Sequence, residues 1–425
     1  MRKLIKNILS LSIITNFSIL FTLFSCFPNI LIPRSPNLTI LQSTNTLKAQ
    51  STNTLSFFGY YEGEFDQVRV SDATYNYGYN KLRLDLEGNP DENVTIAANL
   101  NILKYDNNTT LNLLDFLPES IWKPIFQPEE LPEENWVDEF PLAFSDTLYL
   151  DNIYLRANFK KFDITIGKQQ ISLGTGYTWN PIDIFNFKQL LDPTYEQTGI
   201  NAVRLEVPFG SRSGMDMIYS PNIDWKNSAK MLQFKTGIGS FDLIGSLAQY
   251  NWIRTDFIMG EIENERNLIG GALVGEIAGI GLWAEGAWNQ LEGDENFSEF
   301  VIGSDYTFEN GLYILMEYLY NQNGVSDFKK IDFNRFLQYF NGEIHSLMQQ
   351  YIFNYINYPL SDLVQLGFLN YANLNDNSIA INPQIIWDAF QDVSVSFMGN
   401  YFIGETDTEF GLQDWGWRIR IRGYF

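Results

Sequence analysis

Few side chains in this sequence are suited to covalent or metal chemistry. The 425 residues include one histidine, His345, and one cysteine, Cys26. Zinc and redox sites need several such residues, so the sequence cannot supply a cluster of that kind. A serine-histidine-aspartate triad would have to use His345, whose neighbours (GEIHSLM) indicate an ordinary surface histidine. We therefore expect no catalytic residue, no metal site and no cofactor.

The remaining chemistry is electrostatic. The chain carries 51 acidic and 28 basic residues, a formal net charge of -23. This balance argues against nucleic acid as a partner, because phosphate binding needs a basic surface. The basic residues nevertheless form patterns, most clearly in the last eleven residues, WGWRIRIRGYF. If that stretch is a strand, its arginines share one face, which needs water, and its apolar residues share the other.

The same alternation recurs along the chain in segments of about ten residues, which is typical of membrane barrels. We count eighteen such segments, with sixteen as the alternative. Tight turns such as Glu309-Asn310-Gly311 follow the even-numbered segments, and long connections at 105–146, 172–198, 251–266 and 322–346 follow odd-numbered ones. The sequence predicts an all-β fold, a transmembrane antiparallel up-and-down barrel of about 18 strands. A soluble all-β protein ending in an ordinary strand is the alternative.

The N-terminal residues are predicted to be an export leader. Arg2, Lys3 and Lys6 precede an apolar run that starts at Ile8, the pattern of a secretory signal peptide. Processing near Ala49 is preferred over a lipoprotein-like site at Cys26, and an uncleaved inner-membrane anchor stays open. We assign residues 1–49 to the signal peptide and leader and residues 50–425 to a barrel in the cell outer membrane.

The inward faces of the predicted strands are charged. Cations fall on strands 2 to 8 and on the last strand, whereas strands 9 to 16 carry anions, which predicts a basic-rich wall facing an acidic one across a pore. Pairing of these charges across neighbouring strands is the alternative. The residues predicted to line the pore are Arg83, Arg156, Arg204, Arg418, Arg420, Arg422, Glu285, Asp305 and Glu317.

Two long connections are distinctive. Residues 105–146 are acidic and rich in proline, which indicates a solvated cap at the outer mouth, with a cation site as the alternative. The segment after strand 5 is dense in glycine and aromatic residues, so we predict that it folds inward and narrows the lumen. Its aromatic rings either stack on a sugar or pack against the wall. The predicted constriction-loop residues are Gly174, Tyr177, Trp179, Asn180, Pro181, Asp183 and Phe185.

Two stretches resemble a known group. GKQQISLGTGYTWNPIDIFN resembles the G-R-Q-x-I-x-W-G-x-G-x-x-x-N-P-x-D-x-F signature of porin-like outer-membrane barrels of Gram-negative bacteria, related to alginate-export and phosphate-selective porins. SDYTFENGLYILMEYLYN resembles a hairpin of the same group, and the terminal Phe425 resembles the signal read by the barrel-insertion machinery. The resemblance implies that Gly167, Gln169, Gly174, Asn180, Pro181, Asp183 and Phe185 form the loop and that Asp305 and Glu317 face inward. Lys168 and Leu173 depart from the signature.

These observations predict a porin, a passive diffusion channel for ions, sugars or small organic acids. A barrel with enzymatic activity, and a plugged structural or adhesive barrel, are the alternatives. The expected partners are outer-membrane lipid, small hydrophilic solutes and the insertion machinery. The sequence leaves open whether the barrel forms a homotrimer.

Overall fold

A computed structural model describes residues 55–70, 73–107, 109–126, 141–186, 196–411 and 414–425. The predicted leader lies outside these residues. Eighteen strands form one antiparallel sheet, and it closes on itself because the first strand pairs with both the second and the last. The predicted fold class is confirmed, with eighteen strands rather than sixteen.

The barrel strands follow one another around the sheet in chain order. They are β1 (Leu55–Val70), β2 (Ala73–Asp91), β3 (Val94–Asn107), β6 (Thr147–Asn158), β7 (Asp163–Gln169), β8 (Ile200–Pro208), β9 (Gly214–Ser220), β10 (Ala229–Ile238), β11 (Phe241–Asp256), β12 (Gly260–Ile277), β13 (Ile280–Leu291), β14 (Phe297–Thr307), β15 (Tyr313–Asn321), β16 (Gln350–Ser361), β17 (Val364–Asn373), β18 (Ser378–Phe390), β19 (Val393–Ile403) and β20 (Trp415–Tyr424).

The loops hold the remaining elements. A two-stranded sheet of β4 (Thr110–Asn112) and β5 (Pro141–Ala143) and a helix, α1 (Glu119–Phe126), lie between β3 and β6. A second helix, α2 (Phe333–Phe340), lies between β15 and β16 and begins at an N-cap, Asp332. Within the described residues, no helix has the length and apolar character needed to cross a membrane.

The tight turns cluster at one end of the barrel. Ala278 and Gly279 both have positive φ, at 53° and 83°. A two-residue turn with two positive φ angles fits the right-handed twist of the strands that it connects. Gly311, at the turn predicted from Asn-Gly, has φ 83°. The long connections therefore lie together at the opposite end.

The prediction of a long loop at 251–266 is wrong. The pairing of β11 with β10 ends at Gln249, and the pairing of β12 with β13 ends at Arg266. Beyond these residues β11 and β12 still pair with each other, as far as Asp256 and Gly260. The segment looked like a loop because it is polar. A hairpin that projects beyond the barrel needs no apolar face toward lipid, so its polarity does not prevent strand pairing.

Side-chain exposure alternates as a barrel in lipid requires. On β1, Phe57 and Tyr61 are 74% and 52% exposed, whereas Glu62 and Glu64 are 2% and 6% exposed. Leu148, Ile302 and Phe397 likewise face outward. The outer surface is thus an apolar band, and the polar side chains of these strands point into the barrel.

The interior has two chemically different sectors. The inner faces of β13–β17, called here the apolar wall, carry buried side chains such as Val301, Leu319 and Phe353, and residues of α2 pack in the same cluster. Burying each such side chain stabilises the fold by about 1.5–3 kcal/mol. The inner faces of β20, β1–β3 and β6–β10, called the charged wall, carry the ion pairs described below.

Candidate functional site

One loop leaves the wall between β7 and β8 and crosses the barrel. Its described parts, called the crossing loop, are residues 170–186 and 196–199. The first part reaches β13 and β15, which lie six and eight strands further around the sheet than β7. The last part returns to the charged wall. The loop is therefore held on both sides of the interior.

Glu317 on β15 anchors the first part. Its carboxylate accepts hydrogen bonds from the backbone N–H groups of Tyr177, Thr178 and Trp179, at 2.7, 2.8 and 3.0 Å. The indole Nε1 of Trp283 donates a fourth bond at 2.7 Å. Three successive N–H groups directed at one carboxylate form an anion-binding nest, so a buried charge is matched by polar partners.

Glu285 on β13 forms a second anchor. It accepts hydrogen bonds from the N–H groups of Thr175 and Ile182, at 2.7 and 2.8 Å. Gly174, with φ 98°, lies beside it, and an added Cβ there would stand 2.8 Å from a Glu285 oxygen. Glycine at this position lets the backbone approach the carboxylate. Glu285 and Glu317 thus face inward, but the loop covers both carboxylates.

The loop also holds its own shape. Asp183 accepts hydrogen bonds from the N–H groups of Leu173 and Phe185, at 2.9 and 3.0 Å. Burial raises the pKa of Asp183 despite these bonds. Asn180 and Pro181 are buried, and Phe185 packs beside a second cluster that includes Ile182.

The two aromatic rings predicted at the constriction pack on the apolar wall. Tyr177 stacks on Phe353, with centroids 5.7 Å apart. Trp179 lies 6.1 Å from both Tyr351 and Tyr371 and is 4% exposed. The ring of Trp179 is therefore covered, and of the two roles considered for these residues the geometry matches packing rather than sugar stacking.

The returning part of the loop ends on the charged wall. Glu196 accepts bonds from Lys81 Nζ at 2.7 Å and Arg83 Nη1 at 2.9 Å, and the Tyr60 hydroxyl donates to its other oxygen. Burial opposes ionisation of Glu196, but the two cations outweigh it and lower its pKa to about 2. The carboxylate is charged throughout the physiological range.

Paired charges close the barrel between β20 and β1. Arg418 contacts Asp66 at 3.0 Å, Arg422 contacts Glu62 at 2.5 Å, and Arg420 contacts Glu64 between them. We call these three pairs the seam ladder. Arg418 and Arg420 are only 1% and 5% exposed, so each of these buried charges has an opposite charge beside it within the wall.

The other predicted arginines have acidic neighbours on the same wall. Arg83 contacts Asp85 at 2.9 Å, Arg156 contacts Asp163 at 3.1 Å, and Arg204 contacts Asp216 at 2.5 Å. The Arg83 pair lies within β2, whereas the Arg156 and Arg204 pairs join neighbouring strands, so for these two the geometry fits pairing across strands, the alternative to a basic-rich wall. Asp305, on β14, accepts a hydrogen bond from the Tyr313 hydroxyl at 2.8 Å.

Sequence reasoning missed one charged cluster. Arg266 is buried and lies 3.5 Å from Glu299, whose other oxygen is 2.9 Å from His345 Nδ1. The interpretation of His345 as an ordinary surface residue is wrong, because the loop between β15 and β16 folds into the barrel. Arg266 was missed because it lay in the segment predicted to be a loop. No metal-binding group of three His, Cys, Asp or Glu occurs in the described part of the chain.

No family model matches the sequence, and no curated protein matches it. Solved structures do match. Acinetobacter baumannii OccAB1 is 11% identical with a TM-score of 0.55, over 87% of this chain and 96% of that one. Pseudomonas aeruginosa OccK9 (OpdG) is 8% identical with a TM-score of 0.54, over 87% and 98%. A. baumannii OccAB4 is 7% identical with a TM-score of 0.52, over 88% and 99%. These neighbours are outer-membrane porins, and at such identities the similarity shows the shared fold.

Proposed function

We propose that this protein is an outer-membrane porin, a passive diffusion channel for small hydrophilic solutes. The observation that carries the proposal is the crossing loop, which Glu285 and Glu317 fix on one side of a closed barrel and Glu196 fixes on the other. A loop held at both sides narrows a lumen to a defined size. The fold shared with outer-membrane porins supports the same function.

The apolar outer band supports a location in the outer membrane, reached through the predicted leader and the insertion machinery. The resemblance to alginate-export and phosphate-selective porins stays a prediction. The partly exposed ion pairs of the charged wall, such as Lys81 with Glu196 and Arg156 with Asp163, provide a polar surface along which ions or small sugars would pass. We propose no enzymatic activity.

A plugged structural barrel is the second candidate, and the apolar wall favours it. Aromatic residues from α2 and from the crossing loop fill that sector in one cluster, as in the core of a water-soluble domain. A plug would extend this filling across the charged wall as well. The partial exposure of Lys81, Arg83 and Glu196, at 12%, 18% and 25% of their side chains, supports a water-lined path on that side.

Single-channel recording in a planar bilayer separates the two candidates. The purified, refolded barrel is expected to give stable open steps, and liposomes containing it are expected to swell in small sugars but not in large ones. Inserted protein that gives neither conductance nor swelling would contradict the porin function and support the plugged barrel.

A further inference from the structure

Three donors on the charged wall converge on a single carboxylate. Lys81 and Arg83 lie on the same face of β2, and Tyr60 lies opposite Arg83 on β1. All three contact Glu196, which lies more than a hundred residues further along the chain. The wall thus forms an anion site, and the protein fills it with a side chain of its own.

We propose that Glu196 determines the ion selectivity of the lumen by acting as a built-in counter-ion at this site. The inference rests on the proposed porin function. It assigns to one loop residue the task of keeping anions away from a pair of cations that would otherwise attract them. The seam ladder needs no such residue, since each of its arginines has an acidic partner on β1.

The contacts of Arg83 show why the site needs Glu196. The Nε and Nη2 atoms of Arg83 donate to Asp85 at 2.9–3.0 Å, whereas Nη1 donates to Glu196. Asp85 therefore neutralises the charge of Arg83, and Glu196 neutralises the charge of Lys81. Asp151 also interacts electrostatically with both cations, but it is 1% exposed and accepts the Gly199 N–H. Without Glu196, the two partly exposed cations of this site, Lys81 and Arg83, would share one partly exposed carboxylate among the described residues that contact them, that of Asp85.

The expected effect follows from Coulomb's law. A unit charge about 6 Å from an ion in water changes the local concentration of that ion roughly threefold, with opposite signs for cations and anions. Salt screening reduces this effect. The cation-to-anion ratio combines both changes, so it would shift about ninefold without screening. At about 0.1 M salt the Debye length is about 10 Å, and neutralising Glu196 should therefore lower the permeability ratio by roughly threefold.

The test is the reversal potential of single channels in a potassium chloride gradient. Three variants separate charge from shape. Glu196→Gln keeps the size of the side chain and removes its charge, and Glu196→Asp keeps the charge. Glu292→Gln removes an acid from an exposed ion pair with Lys226, which joins two loops outside the strands. We expect Glu196→Gln to shift selectivity toward chloride and the other two to behave as the parent protein.

The outcomes are distinguishable. A parent protein that inserts but does not conduct would remove the porin function itself. A conducting parent whose selectivity is the same in Glu196→Gln as in Glu292→Gln would overturn the counter-ion role alone. An equal shift in Glu196→Asp and Glu196→Gln would show that loop position, and not charge, sets selectivity, which also contradicts the proposal.

Discussion

Removing the Glu317 carboxylate should release the crossing loop. In Glu317→Ala, the N–H groups of Tyr177, Thr178 and Trp179 lose their acceptor. A hydrogen bond to a charged group contributes about 1.5–3 kcal/mol, so three bonds contribute roughly 4–9 kcal/mol. Water entering the vacated space recovers part of this free energy, which makes the lower value the better estimate.

A loss of about 4 kcal/mol changes the ratio of docked to undocked loop by roughly a thousandfold, since each 1.4 kcal/mol is a factor of ten. The two bonds to Glu285 and the packing of Tyr177 and Trp179 remain. We therefore expect a barrel that still closes but conducts more, with larger fluctuations between levels. Single-channel conductance measures the change directly.

The matched control is Glu309→Ala, at the exposed turn between β14 and β15 of the same hairpin. It removes an acid of the same size that does not hold the loop. Heat modifiability on a gel shows that both variants form barrels. A folded Glu317→Ala channel with the conductance and noise of Glu309→Ala would refute the anchoring role. Glu317→Gln, which keeps one carbonyl acceptor, should be intermediate.

Three further predictions concern stability and assembly. Arg420→Met should cost about 3 kcal/mol, the low end for breaking a buried ion pair, because buried Glu64 then keeps only the more distant Arg418, at 3.7 Å. The double change with Glu64→Met should restore most of this free energy of unfolding, as measured with denaturant. Burial raises the pKa of Glu409, in the loop between β19 and β20, from 4.5 to about 8. Its carboxyl is therefore mainly protonated in the native protein below about pH 8. Between these two pKa values the native state binds more protons than the unfolded state, so the free energy of unfolding should fall as pH rises. Hydrogen exchange of residues 404–411 should rise over the same pH range, and Glu409→Gln should abolish both trends. Deleting Phe425, whose backbone pairs with Gly59, should reduce the yield of folded barrel in cells while a Tyr424→Phe control assembles normally.

The barrel could be predicted from the sequence because its signal is local. In a strand with one face in lipid and one in water, apolar and polar residues alternate with a period of two. The strand count, and which residues of β1, β2 and β20 face inward, could therefore be predicted from short stretches of sequence. The turn at Gly311 was equally local, since its geometry depends on adjacent residues. The same reasoning failed at 251–266, where the strands leave the membrane and the alternation loses its physical cause.

The interior could be predicted only in part, because its contacts join distant segments. The glycines and aromatic residues after β7 indicated an inward loop, but nothing near Glu317 in the sequence shows that its partners are the amides of residues 177–179. The same holds for Glu196 and Lys81. The apolar wall was also missed, because periodicity shows which residues face inward but not what covers them.

The seam ladder also bears on how the barrel assembles. β1 and β20 are the first and last strands of the barrel, and their pairing closes it. A one-residue slip between them would turn all three arginines toward lipid. A two-residue slip would keep two pairs and leave one arginine and one carboxylate buried without partners. The ladder therefore favours the native register at the joint that closes the barrel, because both shifted registers place charges in lipid or leave buried charges without partners.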